Sequence, residues 1–236
     1  MNTETFDLQR LLSALPLFSD LSQLERERIA QGCRLVRLAR GEMFFRVGEA
    51  CEAFHVVVSG QVKLYVSSPA GQEKVIEIIG PGRSFAEALV FLGQPHIVNA
   101  QSLTDTLLVS VAKAAVLAEV ERDPRFSLHM LAGISRRLHS LIHDVEGYAL
   151  QSGMQRLIGY LLRDVEAAVG HGSGSVSVSV SVHLPASKAT IASRLSLTPE
   201  YFSRVLHELE TQGLIQIDKR EIRILDVHRL ANFDSH

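Results

Sequence analysis

The chain has 236 residues, enough for two domains and short for three. Its 46% apolar content can fill real cores, and its net charge of −2 excludes a polycation that holds nucleic acid by charge alone. Residues 152–236 carry nine Lys/Arg against nine Asp/Glu, so pattern rather than charge must carry any DNA-binding reading.

Residues 1–30 read as helical and irregular, with Pro16 interrupting. From about 34 to 112 short apolar runs alternate with turns at Gly41, Gly48, Gly60, Gly71, Gly80-Pro81-Gly82 and Gly93. Phe54–Val58, Val62–Val66 and Val75–Ile79 are strand-like, and turn signals at this spacing predict a small antiparallel barrel or roll. Asp123-Pro124 then opens a long helix, with Asp as N-cap and Pro at the first helical position. Along it Leu131, Ile134, Leu138, Leu141, Val145 and Tyr148 follow at spacings of 3, 4, 3, 4 and 3, the heptad seam of a two-stranded coiled coil. The plainer alternative is an amphipathic helix packed on its own domain. Gly147 and Gly153 flank a boundary near 147–152. Ser152 caps a further helix with Met154, Leu157, Ile158, Leu161, Leu162 and Val165 as its buried stripe. Gly170–Gly174 is a loop, and the alternation of Val and Ser from Val176 to Val182 predicts a half-buried strand.

The segment from Ser187 to Leu195 reads as a short helix capped by Ser187. Ser196-Leu197-Thr198 is a turn, and Thr198 with Pro199 opens the next helix. There Phe202, Val205, Leu206 and Leu209 share one face. Glu200, Ser203, Arg204 and His207 share the other at i, i+3, i+4 and i+7. The N-terminal turns of a recognition helix enter the major groove, so these side chains can reach base edges. Arg204 suits a bidentate contact to guanine, and Glu200 can accept from a cytosine amino group and brace Arg204. Lys188 and Tyr201 suit phosphate contacts that set register. Gly213 closes the helix, and Leu214–Ile217, Asp218–Arg220 and Glu221–Leu225 form a hairpin, which completes a winged helix-turn-helix. The bland alternative, a solvated charged face, is outweighed by the capped turn before it and the wing after it.

On these residues the chain resembles the CRP/FNR superfamily of bacterial regulators along nearly its whole length. The resemblance implies an α+β chain with a cyclic-nucleotide-binding-type β-roll at 1–122, a dimerisation helix at 123–150 and a winged-helix DNA-binding domain at 151–236. Glu200, Ser203 and Arg204 look like the FNR-type reader, which implies a homodimer on a TTGAT-N4-ATCAA-like palindrome in double-stranded DNA. An activator of this kind would also meet RNA polymerase.

The family's cyclic-AMP sites use Gly-Glu followed about ten residues later by Arg-Ser. Here Glu87 is present, but Ala86 takes the Gly position and His96-Ile97 the Arg-Ser position, so the phosphate loses its guanidinium and cyclic AMP is disfavoured. Cys33 and Cys51 are too few for the four-thiolate iron–sulfur cluster of FNR itself. Ser59-Gly60 with Val62-Lys63, Gly71–Lys74 and Phe85–Ala88 look most like the Dnr/NnrR-like, nitric-oxide-responsive subgroup. That likeness implies control of nitrogen-oxide respiration genes, with haem as cofactor. Phe85, Glu87, His96 and Leu131 are the candidate effector-pocket residues. The candidate haem ligands are His55, His96, His129, His139 and His143, among which the sequence does not choose. His139 and His143, at i, i+4, could hold zinc but lack a third ligand in view.

No nucleophile–base pair, Gly-rich phosphate loop or metal triad points to an enzyme. A β-roll alone would equally serve a regulatory subunit that docks on protein, a reading that the winged helix opposes. With no leader pattern and no run of 18 apolar residues, a cytoplasmic protein off the membrane is expected.

Overall fold

A computed structural model describes residues 8–15, 18, 21–169 and 180–233. Gly170–Gly174 and Val176–Ser179 of the predicted loop and strand, and Pro16, lie outside the described residues. The chain divides into two compact units, one of residues 1–72 and 76–140 and the other of 141–236 with the short stretch Glu73–Val75. The division falls inside the long helix, ahead of the glycine-flanked stretch 147–152.

In the first unit α1 (Leu8–Ala14) and α2 (Gln23–Gln31) precede the strands β1 (Cys33–Leu38), β2 (Met43–Phe45), β3 (Ala53–Ser59), β4 (Val62–Ser67), β5 (Glu73–Ile79) and β6 (Ser84–Phe85). The short α3 (Glu87–Leu92), then β7 (Asn99–Ser102), β8 (Thr106–Ala112), α4 (Lys113–Arg122) and the long α5 (Pro124–Leu150) follow. One sheet runs β1-β8-β3-β6 and the other β2-β7-β4-β5. The alternation of β5 is of the kind the sequence predicts, with Val75, Glu77 and Ile79 turned inward. Strand β8 lies between β1 and β3 and is correspondingly apolar.

Leu38, Phe45, Val57, Val62, Leu64, Phe85, Ala100 and Leu108 come from both sheets and form one core. A second core joins Phe54, Val56, Val109 and Val111 to the helices through Leu12, Ile29, Val116, Phe126 and Met130. The first turns of α5 therefore pack under the roll. Its later apolar residues do not: Leu131, Leu138 and Val145 are 57%, 59% and 65% exposed.

The second unit holds the end of α5, then α6 (Gly153–Val169), β9 (Val180–His183), α7 (Lys188–Arg194), α8 (Pro199–Thr211), β10 (Ile215–Asp218), β11 (Glu221–Ile224) and α9 (Val227–Ala231). The strands pair antiparallel in the order β10-β11-β9. Val182 points inward between exposed Ser181 and His183, the half-buried alternation expected of this strand. Among the described residues no helix is long and apolar enough to cross a membrane.

Candidate nucleic-acid interface and sensor core

Both helices of the helix-turn-helix begin where side chains satisfy free backbone N–H groups. Ser187 Oγ accepts from the Thr190 amide at 3.1 Å, and Thr198 Oγ1 accepts from the Tyr201 amide at 3.2 Å, with Pro199 at the first position of α8. Between them Ser196 takes the left-handed conformation at φ 56°, so the chain reverses within three residues. Phe202, Val205, Leu206 and Leu209 are buried. Glu200, Ser203, Arg204 and His207 are exposed on the opposite face.

Tyr201 is half-buried, and a Cβ on Gly153 would come within 2.5 Å of its ring, so the start of α6 touches the tyrosine because residue 153 has no side chain. The Arg204 guanidinium lies 4.8 Å from the centre of that ring. The Tyr201 ring is thus a neighbour of the Arg204 guanidinium. His207 Nδ1 stands 4.0 Å from Glu210 Oε2, and Lys188 is half-buried at the first position of α7. The wing turn adds Lys219 and Arg220, both exposed, with Lys219 at φ 53°. These two cations were assigned no role from the sequence. A basic pair between paired strands was the available signal.

The proposed effector residues do not share one environment. Phe85 is fully buried, whereas Leu131 is exposed on α5. Arg137 of α5 gathers the charged groups near Glu87. Its Nη2 donates to Glu77 Oε2 at 2.6 Å and its Nη1 to the Ser84 carbonyl at 3.0 Å, with Glu87 Oε2 at 3.6 Å. Arg83 donates to the other Glu77 oxygen at 3.0 Å. Two guanidinium groups thus balance two carboxylates, and Glu87 has its cation from α5 rather than from the 96–97 position. Ala86, at the position of the family's glycine, keeps a glycine-like φ of 72°.

His55 and His96 are both buried, at 4% and 5% exposure. The His55 ring lies among Phe44, Phe45 and Phe85, with ring centres 4.6, 6.1 and 5.1 Å away, and its Nδ1 is 2.8 Å from Ser110 Oγ. Burial drives its pKa down from 6.5 to about 3, with lesser contributions from His96 and Arg34. His96 stacks on Phe45 with ring centres 3.6 Å apart, and its Nδ1 is buried without a hydrogen-bond partner. Burial lowers its pKa too, against an opposing pull from Glu49.

His139 and His143 are exposed on α5, and His143 Nδ1 is 3.5 Å from Glu146. The side chain of His129 lies outside the described residues. No group of three or more metal-binding side chains occurs among those described. Burial raises the Cys33 thiol to about 12 and also raises Cys51, so neither offers the thiolate that redox chemistry needs.

Leu131, Leu138, Leu141 and Val145 are exposed, Ile134 is half-exposed, and further apolar side chains at Leu128, Ile142 and Leu150 are exposed beside them. Tyr148, also expected in the seam, is half-buried and bonds within its own chain: its hydroxyl donates to the Arg194 carbonyl at 2.6 Å.

The Cyclic nucleotide-binding domain family matches residues 35–123, and the Crp-like helix-turn-helix domain family matches residues 155–233. The solved structure of DNR from Pseudomonas aeruginosa is 35% identical, covers 96% of this chain and 97% of its own, and superposes with a TM-score of 0.50. The chain belongs to the CRP/FNR family. FixK2 from Bradyrhizobium japonicum shares the CRP/FNR fold at 22% identity, with a TM-score of 0.73 over 86% of this chain and 98% of its own. The nitrogen fixation regulation protein FixK of Azorhizobium caulinodans is 26% identical over 198 residues, 84% of this chain and 77% of that protein. As a CRP/FNR member the chain is a DNA-binding transcriptional regulator with an effector-binding domain, and its relatives are regulators rather than enzymes.

Proposed function

We propose that this regulator binds as a homodimer to a TTGAT-N4-ATCAA-like operator, responds to nitric oxide through haem, and controls nitrogen-oxide respiration genes in the cytoplasm. The observation that carries the DNA half is the exposed face of α8: Glu200, Ser203 and Arg204 project from its first two turns, while the opposite face is buried. Arg204, its guanidinium beside the Tyr201 ring, reads a guanine, and Glu200 accepts from a cytosine amino group. Lys188, Tyr201 and His207 flank these contacts, and the wing cations Lys219 and Arg220 neutralise phosphates. The exposed apolar side of α5 is the surface on which two copies pair, which sets two readers one helical turn apart. In an activator, RNA polymerase is the further partner.

The sensor half rests on two features. The Arg137–Glu77–Glu87–Arg83 set is charge-balanced, so an anionic cyclic phosphate would have to displace a carboxylate from Arg137. This favours an effector other than cyclic AMP. His96 has a buried imidazole nitrogen with no partner beside an aromatic wall, and burial keeps the ring neutral. A neutral imidazole is the donor that haem iron takes, so His96 would hold the iron best among the candidate histidines with described side chains. Haem would supply an iron that binds nitric oxide, while Phe45 and Phe85 keep the surroundings apolar. The likeness to DNR of Pseudomonas aeruginosa supports the same subgroup.

Footprinting on the TTGAT-N4-ATCAA duplex tests the reader. Arg204→Ala is expected to weaken binding by about 1–3 kcal/mol, and equal binding by the variant would refute the assigned face. A visible spectrum of the purified protein with added haem tests the sensor. A Soret band that shifts with nitric oxide and is altered in His96→Ala supports it, and a featureless region moves the effector to another small molecule.

A further inference from the structure

The seam spacing and the observed contacts disagree at Tyr148. By spacing it follows Leu141 and Val145 as the next residue to face a partner helix. In the structure its hydroxyl both donates to the Arg194 carbonyl and accepts from Arg194 Nη1. The same guanidinium bonds Asp144 through Nη2. Arg194 is only 6% exposed, so this is a buried cation held by the end of α5. Two further cations lie near the ring, Lys74 Nζ at 4.9 Å and the Arg156 guanidinium at 5.9 Å from its centre.

These residues all belong to the second unit. Arg194 ends α7, two residues before the left-handed turn residue Ser196 that leads into α8. Tyr148 thus ties the end of α5 to the helix that precedes the reader. A side chain packed as a knob into a facing helix cannot also hold Arg194, because the same ring and hydroxyl would have to serve both. Asp144 lies beside the seam rather than in it, so Arg194 keeps an anionic partner when Tyr148 leaves.

We propose that Tyr148 is a two-position residue: docked on Arg194 in the single chain, and packed against its counterpart when a second copy of the chain closes the seam. Closing the last turn of the coiled coil then removes one of the two ties between α7 and α5, leaving the Arg194–Asp144 pair alone, and couples the pairing of two copies to the freedom of the reader. This rests on the reading of α5 as the dimer seam.

Sedimentation equilibrium of the full chain tests it. Tyr148→Phe removes both hydroxyl bonds and keeps an aromatic ring for the seam. Arg194→Met removes the docking cation without touching any seam position; it is made in an Asp144→Asn background, because loss of the guanidinium alone would leave the Asp144 carboxylate buried without its cation. Both variants are expected to dimerise about tenfold more tightly than wild type, the effect of one charge-assisted hydrogen bond. Unchanged or weaker dimerisation of Arg194→Met overturns the proposal. So does tightening by Tyr148→Phe alone, which would trace to a more apolar seam. Leu138→Glu separates the two levels: if it sediments like wild type, the seam itself is wrong and the switch falls with it, whereas a loss of dimer in Leu138→Glu with no gain in Arg194→Met refutes the switch alone.

Discussion

Acid should weaken the sensor through His55. In the folded chain its pKa is about 3 against an ordinary 6.5, because protonation would put a cation among Phe44, Phe45 and Phe85. The folded value lies below the unfolded one, so the stabilising effect is complete above pH 6.5 and is lost as pH falls from there toward 3. At about pH 4.5 the unfolded chain has taken up this proton and the folded chain has not. The corresponding loss is about 2–3 kcal/mol relative to neutral pH. Carboxylates titrate in the same window, so the comparison has to be differential. His55→Phe keeps a ring of similar size and removes the titration, though it leaves Ser110 Oγ without its imidazole partner. Urea unfolding from about pH 7.5 to 4.5 should show wild type losing stability more steeply, by about 2–3 kcal/mol over the range, whatever the variant's stability at neutral pH. Parallel curves would refute the claim that His55 is held neutral by its surroundings.

Three further outcomes follow from local geometry. Gly60 sits at φ +82° with a Cβ position only 2.4 Å from the Asp105 carbonyl, so Gly60→Ala should cost about 2 kcal/mol or more in urea unfolding of the sensor. Thr198→Ala removes the cap of α8 and should cost about 1 kcal/mol, read as a lower melting temperature with a matching loss of operator binding. Both cysteines should resist a thiol reagent at about pH 8 in the native protein and react fully in denaturant, since Cys33 titrates near 12.

Local chemistry made the reader legible in the sequence. Ser187, Thr198 and Pro199 mark helix starts by rules that act within a few residues, and the 3.6-residue period of Phe202, Val205, Leu206 and Leu209 settles which face is buried. The strands of the roll were legible for the same reason, through period-two patterning and glycine turns. What escaped was set by long-range packing. Arg137 is an ordinary polar residue on an amphipathic helix until α5 meets β5 and α3, which lie about 60 and 50 residues earlier. Likewise, His55 and His96 are buried by partners on other strands, not by their neighbours in sequence. The bond from Tyr148 to Arg194 escaped because a heptad pattern reports a helix's apolar side without saying which partner covers it.

Ala86 carries a last consequence. An alanine at φ 72° stores strain of about 1–2 kcal/mol that a glycine would relieve. Alanine, however, has far fewer backbone alternatives than glycine, so the bend that delivers Glu87 toward Arg137 cannot wander. The corner gives up some stability for stiffness, and a signal arriving at this end of the roll meets a lever with little play in its pivot.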